Sequence, residues 1–339
     1  MNTQDQLNNA DFSAIPATRP SDRFGNREMV VVSDRQKPPV NPIDSGLISR
    51  NKPISYTLSP GQKDIFADAC DAAVFDQGDP ADQKLIVDKA SQIAKQISGR
   101  LGYFVETLHT FPNFLIIEDF PEVRYPRRLI AIAGEIFGRV VKYPGEGDYI
   151  IEIKEQQALA GDRPSFKNSR PFYLHSDLSY ADSPPQFMLI HSIRNNPKEG
   201  GFSGFADIES VVQLLTPSAR EELQKPQFLF PAPPHYEGKS FVQFPILTKA
   251  PGQITWNVRF RRDSLFSITR DGIEAIAQLI QALDQTAFEI VLHQNSMVLV
   301  NNRRYLHART AFVSKQSTPR HLNRVYISVE EELHHGTIY

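Results

Sequence analysis

QFMLIHSIR, residues 186–194, decides the fold class. The run is short and rich in the aromatic and β-branched residues that suit a strand. Similar runs surround it. DYIIEIK (148–154) precedes it; QFLFP (227–231), KSFVQFPIL (239–247), QITWNVRF (253–260), SMVLVNN (296–302) and NRVYISVE (323–330) follow. Helical patterns interrupt these strands at DIESVVQLL (207–215), TPSAREELQK (216–225) and DGIEAIAQLIQALDQTAFEIVLHQ (271–294). In the second of these, Thr216 is the expected N-cap and Pro217 opens the first turn. Many short strands without regular β-α alternation argue against a doubly wound parallel sheet. They favour a mainly β fold with flanking helices, a sandwich or jelly roll. The chain has neither a GxGxxG run nor a Walker A loop.

Upstream, SPGQKDIFADACDAAVF (59–75) reads as a helix capped by Ser59 with Pro60 in its first turn. DPADQKLIVDKASQIAKQISGRLG (79–102) reads as a second, with Asp79 and Pro80 in the same roles and Gly99 or Gly102 to end it. GYFVET (102–107) and NFLIIED (113–119) are short and β-prone, and YPRRLIAIAGEIFGRV (125–140) returns to a helix. Residues 1–55, rich in Pro, Asn, Asp and Ser, are expected to form an irregular arm. Residues 56–339 are then expected to form one domain.

Composition narrows the functional classes. Of 339 residues, 40% are hydrophobic, enough for a sizeable core, and the net charge is −2 with both signs mixed along the chain. No basic run predicts a nucleic-acid or membrane partner. The single cysteine, Cys70, allows no intramolecular disulfide and lies in an apolar helical pattern, where a buried thiol is the ordinary outcome. The N-terminal residues show neither a basic nor an apolar signal region, and no stretch reaches the length of a membrane span. The expected location is the cytoplasm.

Two tripeptides begin with His and end in a carboxylate: His175-Ser-Asp177 and His235-Tyr-Glu237. Residues i and i+2 of a strand point to one side, so H-x-D presents an imidazole and a carboxylate together. With a second histidine they would form a facial triad that leaves positions open on iron(II). His175 lies in FYLHSDLSY (172–180), whereas His235 lies in FPAPPHYEGKS (230–240), a proline-dense loop that suits a surface histidine. The third ligand is sought among His293, His307, His321, His334 and His335. His307 is best placed, because SMVLVNNRRYLHARTAF (296–312) passes from a buried strand through an Asn-Asn turn into a second strand-like run. Downstream, Arg320 and Arg324 lie in STPRHLNRVYIS (317–328). A basic residue on an inward-facing strand needs an anionic partner, which a dicarboxylate or a protein Asp or Glu can supply.

In these residues the chain resembles the taurine dioxygenase and clavaminate synthase-like family of iron(II)/2-oxoglutarate oxygenases. Three blocks carry the likeness: FYLHSDLSY, EGGFSGFADI (199–208), and VNNRRYLHARTAF followed by RHLNRVYIS (300–312, 320–328). The resemblance implies a double-stranded β-helix, or jelly roll, with iron(II) held by His175, Asp177 and His307 and no further catalytic side chain. It implies that Ser203 and Arg320 bind the distal carboxylate of the co-substrate 2-oxoglutarate, with O₂ as the second co-substrate. Arg324 would sit just inside the pocket near co-substrate or substrate, and Asn302 would shape the turn before His307. The implied reaction decarboxylates 2-oxoglutarate to succinate and oxidises an unactivated C–H bond of a small molecule. With Asp177 present, halogenation is not expected. Hydroxylation is the first expectation; oxidative cyclisation or desaturation in specialised metabolism uses the same ligands. A non-catalytic metal-binding jelly roll is the alternative of another class, but it leaves Ser203 and Arg320 idle.

The substrate is approached through WNVRFRRDSLF (256–266). Relatives acting on free basic amino acids tend to carry acidic residues after an Arg-aromatic pair in such a stretch. Here Arg261 takes that place and Asp263 follows on the same side. An inward Arg261 would favour an amino acid or amino-acid derivative bearing an extra carboxylate. The alternative is that Arg261 simply pairs with Asp263.

Overall fold

The computed structural model describes residues 53–75, 78–109, 113–143, 147–154, 169–195, 200–232, 240–249, 254–312 and 320–329. The arm expected over residues 1–55 lies outside them except for its last three residues. Of these, Ile54 and Ser55 already belong to a strand, β1 (Ile54–Thr57).

Helices dominate the next stretch: α1 (Pro60–Ala72), α2 (Gln83–Leu101), α3 (Tyr103–His109), then β2 (Phe114–Glu118), α4 (Pro126–Phe137), β3 (Arg139–Val141) and β4 (Ile150–Lys154). Ser59 caps α1 as expected: its Oγ accepts from the Gln62 amide, and Gln62 Oε1 accepts from the Ser59 amide. Helix α2 begins three residues later than expected, with Asp82 as its cap. Asp79 is engaged elsewhere, in an ion pair with the buried Arg128 of α4 at 2.6 Å. The β-prone GYFVET is helical instead, in α3. Phe104 and Leu108, four apart, are buried against the neighbouring helices, and this packing overrides strand propensity.

The remaining elements are β5 (Phe172–His175), β6 (Phe187–Arg194), β7 (Ser203–Asp207), α5 (Ile208–Gln213), α6 (Pro217–Leu223), β8 (Phe228–Pro231), β9 (Phe241–Phe244), β10 (Leu247–Thr248), β11 (Asn257–Val258), β12 (Phe266–Ser267), α7 (Arg270–Thr286), β13 (Phe288–Ile290), β14 (Ser296–Asn301), β15 (Tyr305–Arg309) and β16 (His321–Ser328). Thr216 caps α6 through the Ala219 amide. The helix expected over 271–294 ends at Thr286, because Phe288–Ile290 pairs with β7 as an edge strand.

A seven-stranded sheet has the order β1-β2-β14-β6-β16-β3, with β4 also on β16; a four-stranded sheet has the order β13-β7-β15-β5. The period of two along each strand sorts the large sheet into two faces. Leu115, Ile117, Leu189, Met297, Leu299, Val325 and Ile327 pack with α1, α2 and α4. Phe114, Ile116, Met188, Ile190, Val298, Val300, Leu322 and Tyr326 pack with residues of the small sheet, including Phe205, Tyr305 and Leu306. Arg324, between Leu322 and Tyr326 in this alternation, belongs to the second face, which looks toward the strands carrying the candidate ligands.

Candidate metal centre and co-substrate site

Strands β5 and β15 run antiparallel with His175 directly opposite His307, and the ring centroids are 4.1 Å apart. Asp177 lies two residues beyond His175. Its Oδ1 is 3.5 Å from His175 Nε2 and 3.5 Å from His307 Nε2. All three side chains are buried, and their ligand atoms lie within 4.8 Å of one another.

Hydrogen bonding prepares these atoms for a cation. His175 Nδ1 lies 2.8 Å from the Tyr173 carbonyl. A carbonyl can only accept, so that bond places a proton on Nδ1 and turns Nε2 toward Asp177. Among the described residues, His175 Nε2 is buried without a hydrogen-bond partner, as is His307 Nδ1. Burial first, and the neighbouring His175 second, push His307 down to about 4, so its ring is neutral near pH 7. For Asp177, burial alone would raise the pKa. The Arg324 guanidinium and His307 outweigh it, and the carboxyl is held well below the usual range. Two imidazoles and one ionised carboxylate converging on one buried point are the donor set of a facial-triad iron(II) site. The orphaned His175 Nε2 fits that use.

Arg324 does not stand apart as a substrate contact in this state. Its Nη1 donates to Asp177 Oδ2 at 2.7 Å. Asn302 does more than shape a turn, because its carboxamide bonds to the backbone of Asp177.

The double glycine preceding Ser203 is explained by close approach. Gly200 has φ +89°, and a Cβ there would lie 2.5 Å from the Ala311 carbonyl oxygen. Gly201 has φ +74°, donates its amide to Ala311, and lies against the Arg320 side chain. Arg320 is buried, and its Nε has no hydrogen-bond partner among the described residues. Among the described residues no carboxylate pairs with it. Burial, then the charge of Arg309, pushes its pKa down to about 9. The Arg309 and Arg320 guanidinium carbons lie 4.9 and 5.9 Å from the Phe312 ring centroid. Ser203 is buried on β7 and faces Arg309 across the ladder. Like charges gathered in a buried place call for an anion. Arg309 escaped the sequence reading, although its position two residues after His307 on one strand was the available signal.

Arg261 forms an isolated bridge with His175, and the Arg262 amide donates to Leu174. These bonds lay residues 260–262 beside β5. Arg261 Nε is 2.9 Å from Asp263 Oδ1, so the pair weighed in the sequence is present beside the metal centre. Burial raises the Asp263 pKa, but Arg261 and then His175 lower it more, and the net shift is downward. His235, His334 and His335 lie outside the described residues; His293 is exposed, and His321 sits on β16 beside Glu152. Among the described residues, no helix is long and apolar enough to cross a membrane.

A family model described as taurine catabolism dioxygenase TauD, TfdA family matches residues 113–326. The chain belongs to that family. Among its relatives, Dioxygenase str8 of Strobilurus tenacellus is 29% identical over 148 residues, 41% of this chain and 35% of that protein. L-asparagine oxygenase of Streptomyces coelicolor (strain ATCC BAA-471 / A3(2) / M145) is 24% identical over 195 residues, 57% of this chain and 54% of that protein. The matched region thus spans about a third to a half of the length of these curated relatives. The family fold extends further. The structure of asparagine oxygenase with Fe(II), 3-hydroxyasparagine and succinate superposes with a TM-score of 0.70 at 17% identity, covering 80% of this chain and 93% of that one. The non-heme iron oxygenase OrfP with Fe and alpha-ketoglutaric acid superposes with a TM-score of 0.66 at 17% identity, covering 82% and 95%.

Proposed function

We propose that this chain is an iron(II)- and 2-oxoglutarate-dependent oxygenase that hydroxylates an unactivated C–H bond of a small amino acid or amino-acid derivative. The observation that carries the reading is the convergence of His175 Nε2, Asp177 Oδ1 and His307 Nε2 on one buried point. Family membership and the likeness to structures solved with iron and 2-oxoglutarate or succinate support it. We assign the fold as a double-stranded β-helix formed by residues 56–339, and the working compartment as the cytoplasm.

In this reading His175, Asp177 and His307 hold the iron. Bound there, the metal supplies the redox chemistry by which O₂ and 2-oxoglutarate become succinate and CO₂, with one oxygen atom passing to the substrate. The chain's own residues bind, orient and exclude water. Arg320 pairs with the distal carboxylate of 2-oxoglutarate, Ser203 donates its hydroxyl to the same group, and Gly201 lets the backbone lie close to the guanidinium. Arg324 keeps Asp177 ionised and aimed, and Arg261 with Asp263 faces the primary substrate. The neighbours whose names specify asparagine and arginine products make an amino-acid substrate the natural first choice.

The direct test is an anaerobic titration of the protein with iron(II) and then 2-oxoglutarate. Bidentate chelation by a 2-oxoacid gives a weak visible charge-transfer band. A band that appears in the native protein and is absent in His307→Ala is expected. No band with the native protein, despite bound iron, would remove 2-oxoglutarate as co-substrate.

A further inference from the structure

The chain reverses at the metal carboxylate. Strand β5 ends at His175, and Leu178, one residue past Asp177, has φ +53°, a left-handed conformation that costs a branched side chain energy. The backbone amide and carbonyl of Asp177 are thereby turned off the β5 ladder while buried. Left unpaired, each would be a desolvated polar group without a hydrogen bond, which folded proteins rarely leave. Both are met by one side chain. Asn302 Oδ1 accepts from the Asp177 amide at 2.7 Å, and Asn302 Nδ2 donates to the Asp177 carbonyl at 3.1 Å. The carboxamide thus offers the acceptor and donor that a neighbouring strand would have offered.

The same Nδ2 also donates to the Pro185 carbonyl at 3.0 Å, and the Asn302 amide donates to Gln186 at 2.9 Å. Asn302 is fully buried, in the turn that leads into β15, the strand of His307. One residue therefore joins the segment of Asp177, the entry to β6 and the turn before His307. A histidine ligand is held by its place in a ladder; Asp177 lies beyond the end of β5 and lacks that support.

We propose that Asn302 is a positioning residue of the metal centre: its carboxamide, bonded to both backbone groups of Asp177, sets where the carboxylate stands relative to His175 and His307. The inference rests on the reading of those three residues as metal ligands. Only an amide side chain supplies a donor and an acceptor side by side at this reach. Asp would present an oxygen to the carbonyls of Asp177 and Pro185 where a donor is needed, and Leu would supply neither.

Cobalt(II), followed through its visible d–d bands, is the probe, titrated anaerobically well below the unfolding midpoint of every variant. His175→Ala serves as the control for the ligand reading: if it leaves cobalt affinity intact, the metal-site assignment fails, and the proposal with it. With that control passed, Asn302→Ala is expected to weaken cobalt binding about 10–100-fold and to alter the d–d bands. Ile130→Ala, which hollows the helical core away from the site, is expected to lower thermal stability but leave cobalt affinity within about twofold. If Asn302→Ala does not fold, Asn302→Ser, which keeps an acceptor for the Asp177 amide, is measured in its place and is expected to show a smaller loss. Native cobalt affinity and spectrum in a folded Asn302 variant would overturn the proposal. So would an equal loss in Ile130→Ala, since the effect would then be one of general stability.

Discussion

Arg324 Nη1 stands 2.7 Å from Asp177 Oδ2, while the other oxygen of the same carboxylate faces the two histidines. The carboxylate is divided between a protein cation and the place of a metal. Breaking a buried ion pair from one side typically costs about 3–5 kcal/mol. Arg324→Met should therefore lower the urea midpoint of the metal-free protein. Added cobalt(II) should recover more stability in the variant than in the native protein, because Asp177 then has no other cation. Equal midpoints for the two metal-free proteins would show that the pair contributes nothing.

The triad makes a sharper demand. His175→Ala, Asp177→Ala or His307→Ala should each abolish succinate formation, since two protein ligands do not hold a facial site open on one side. His235→Ala and His293→Ala should leave turnover within a few-fold. Loss of activity in His235→Ala with survival in His175→Ala would reverse the assignment.

Arg320 is the test of co-substrate binding. Its buried guanidinium, which no carboxylate among the described residues pairs with, would gain its partner on the proposed function when the dicarboxylate arrives. Arg320→Ala should raise the KM for 2-oxoglutarate about a hundredfold, equivalent to roughly 3 kcal/mol, and change the KM of the primary substrate far less. An unchanged value would move the role to another cation, with Arg309 the first to examine.

On the helical face of the large sheet, burial first and His321 second push His191 down to about 3. Among the described residues, neither ring nitrogen has a hydrogen-bond partner. Unfolded, the same imidazole titrates near 6.5. Between those values the unfolded chain binds a proton that the folded protein does not. The contribution of His191 to stability is therefore full above pH 6.5 and is lost as pH falls, by up to about 1.4 kcal/mol per pH unit. His191→Leu should flatten this slope. The comparison is of urea midpoints at pH 7 and pH 5, and an unaltered slope in the variant would refute the account.

Local regularities made the three candidate ligands legible. The two-residue spacing of His175 and Asp177 and the strand-turn-strand context of His307 are properties of short segments, and a ladder turns them into proximity. The double glycine was visible too, although its reason, the Ala311 carbonyl against Gly200, was not. What escaped was set by distant partners. The chain separation of Arg324 and Asp177 is 147 residues, and that of Asn302 and Asp177 is 125. Neither pairing leaves a trace in local sequence. Likewise GYFVET became a helix because Phe104 and Leu108 had a core to fill, and α7 ended early because β7 had an edge to cover.

Arg261 bridges His175 in the backbone and pairs with Asp263 at its side chain. The two readings weighed in the sequence are thus compatible: on the proposed function, Asp263 would hold the guanidinium beside the candidate metal centre until a substrate carboxylate arrives. A charge-assisted hydrogen bond contributes about 1.5–3 kcal/mol, or roughly 10–100-fold. Arg261→Ala should lower kcat/KM for a carboxylate-bearing substrate by that factor, chiefly through KM. Asp263→Asn should raise affinity for the same compound, because the competing carboxylate is gone. A panel of acidic, neutral and basic amino acids and their N-substituted derivatives, read by succinate release, identifies the class. Coupled turnover with lysine or arginine and none with any acidic compound would sink the assignment, and so would full activity in Arg261→Ala. Either result would leave Arg261 and Asp263 as a partly exposed pair that braces the loop after β11.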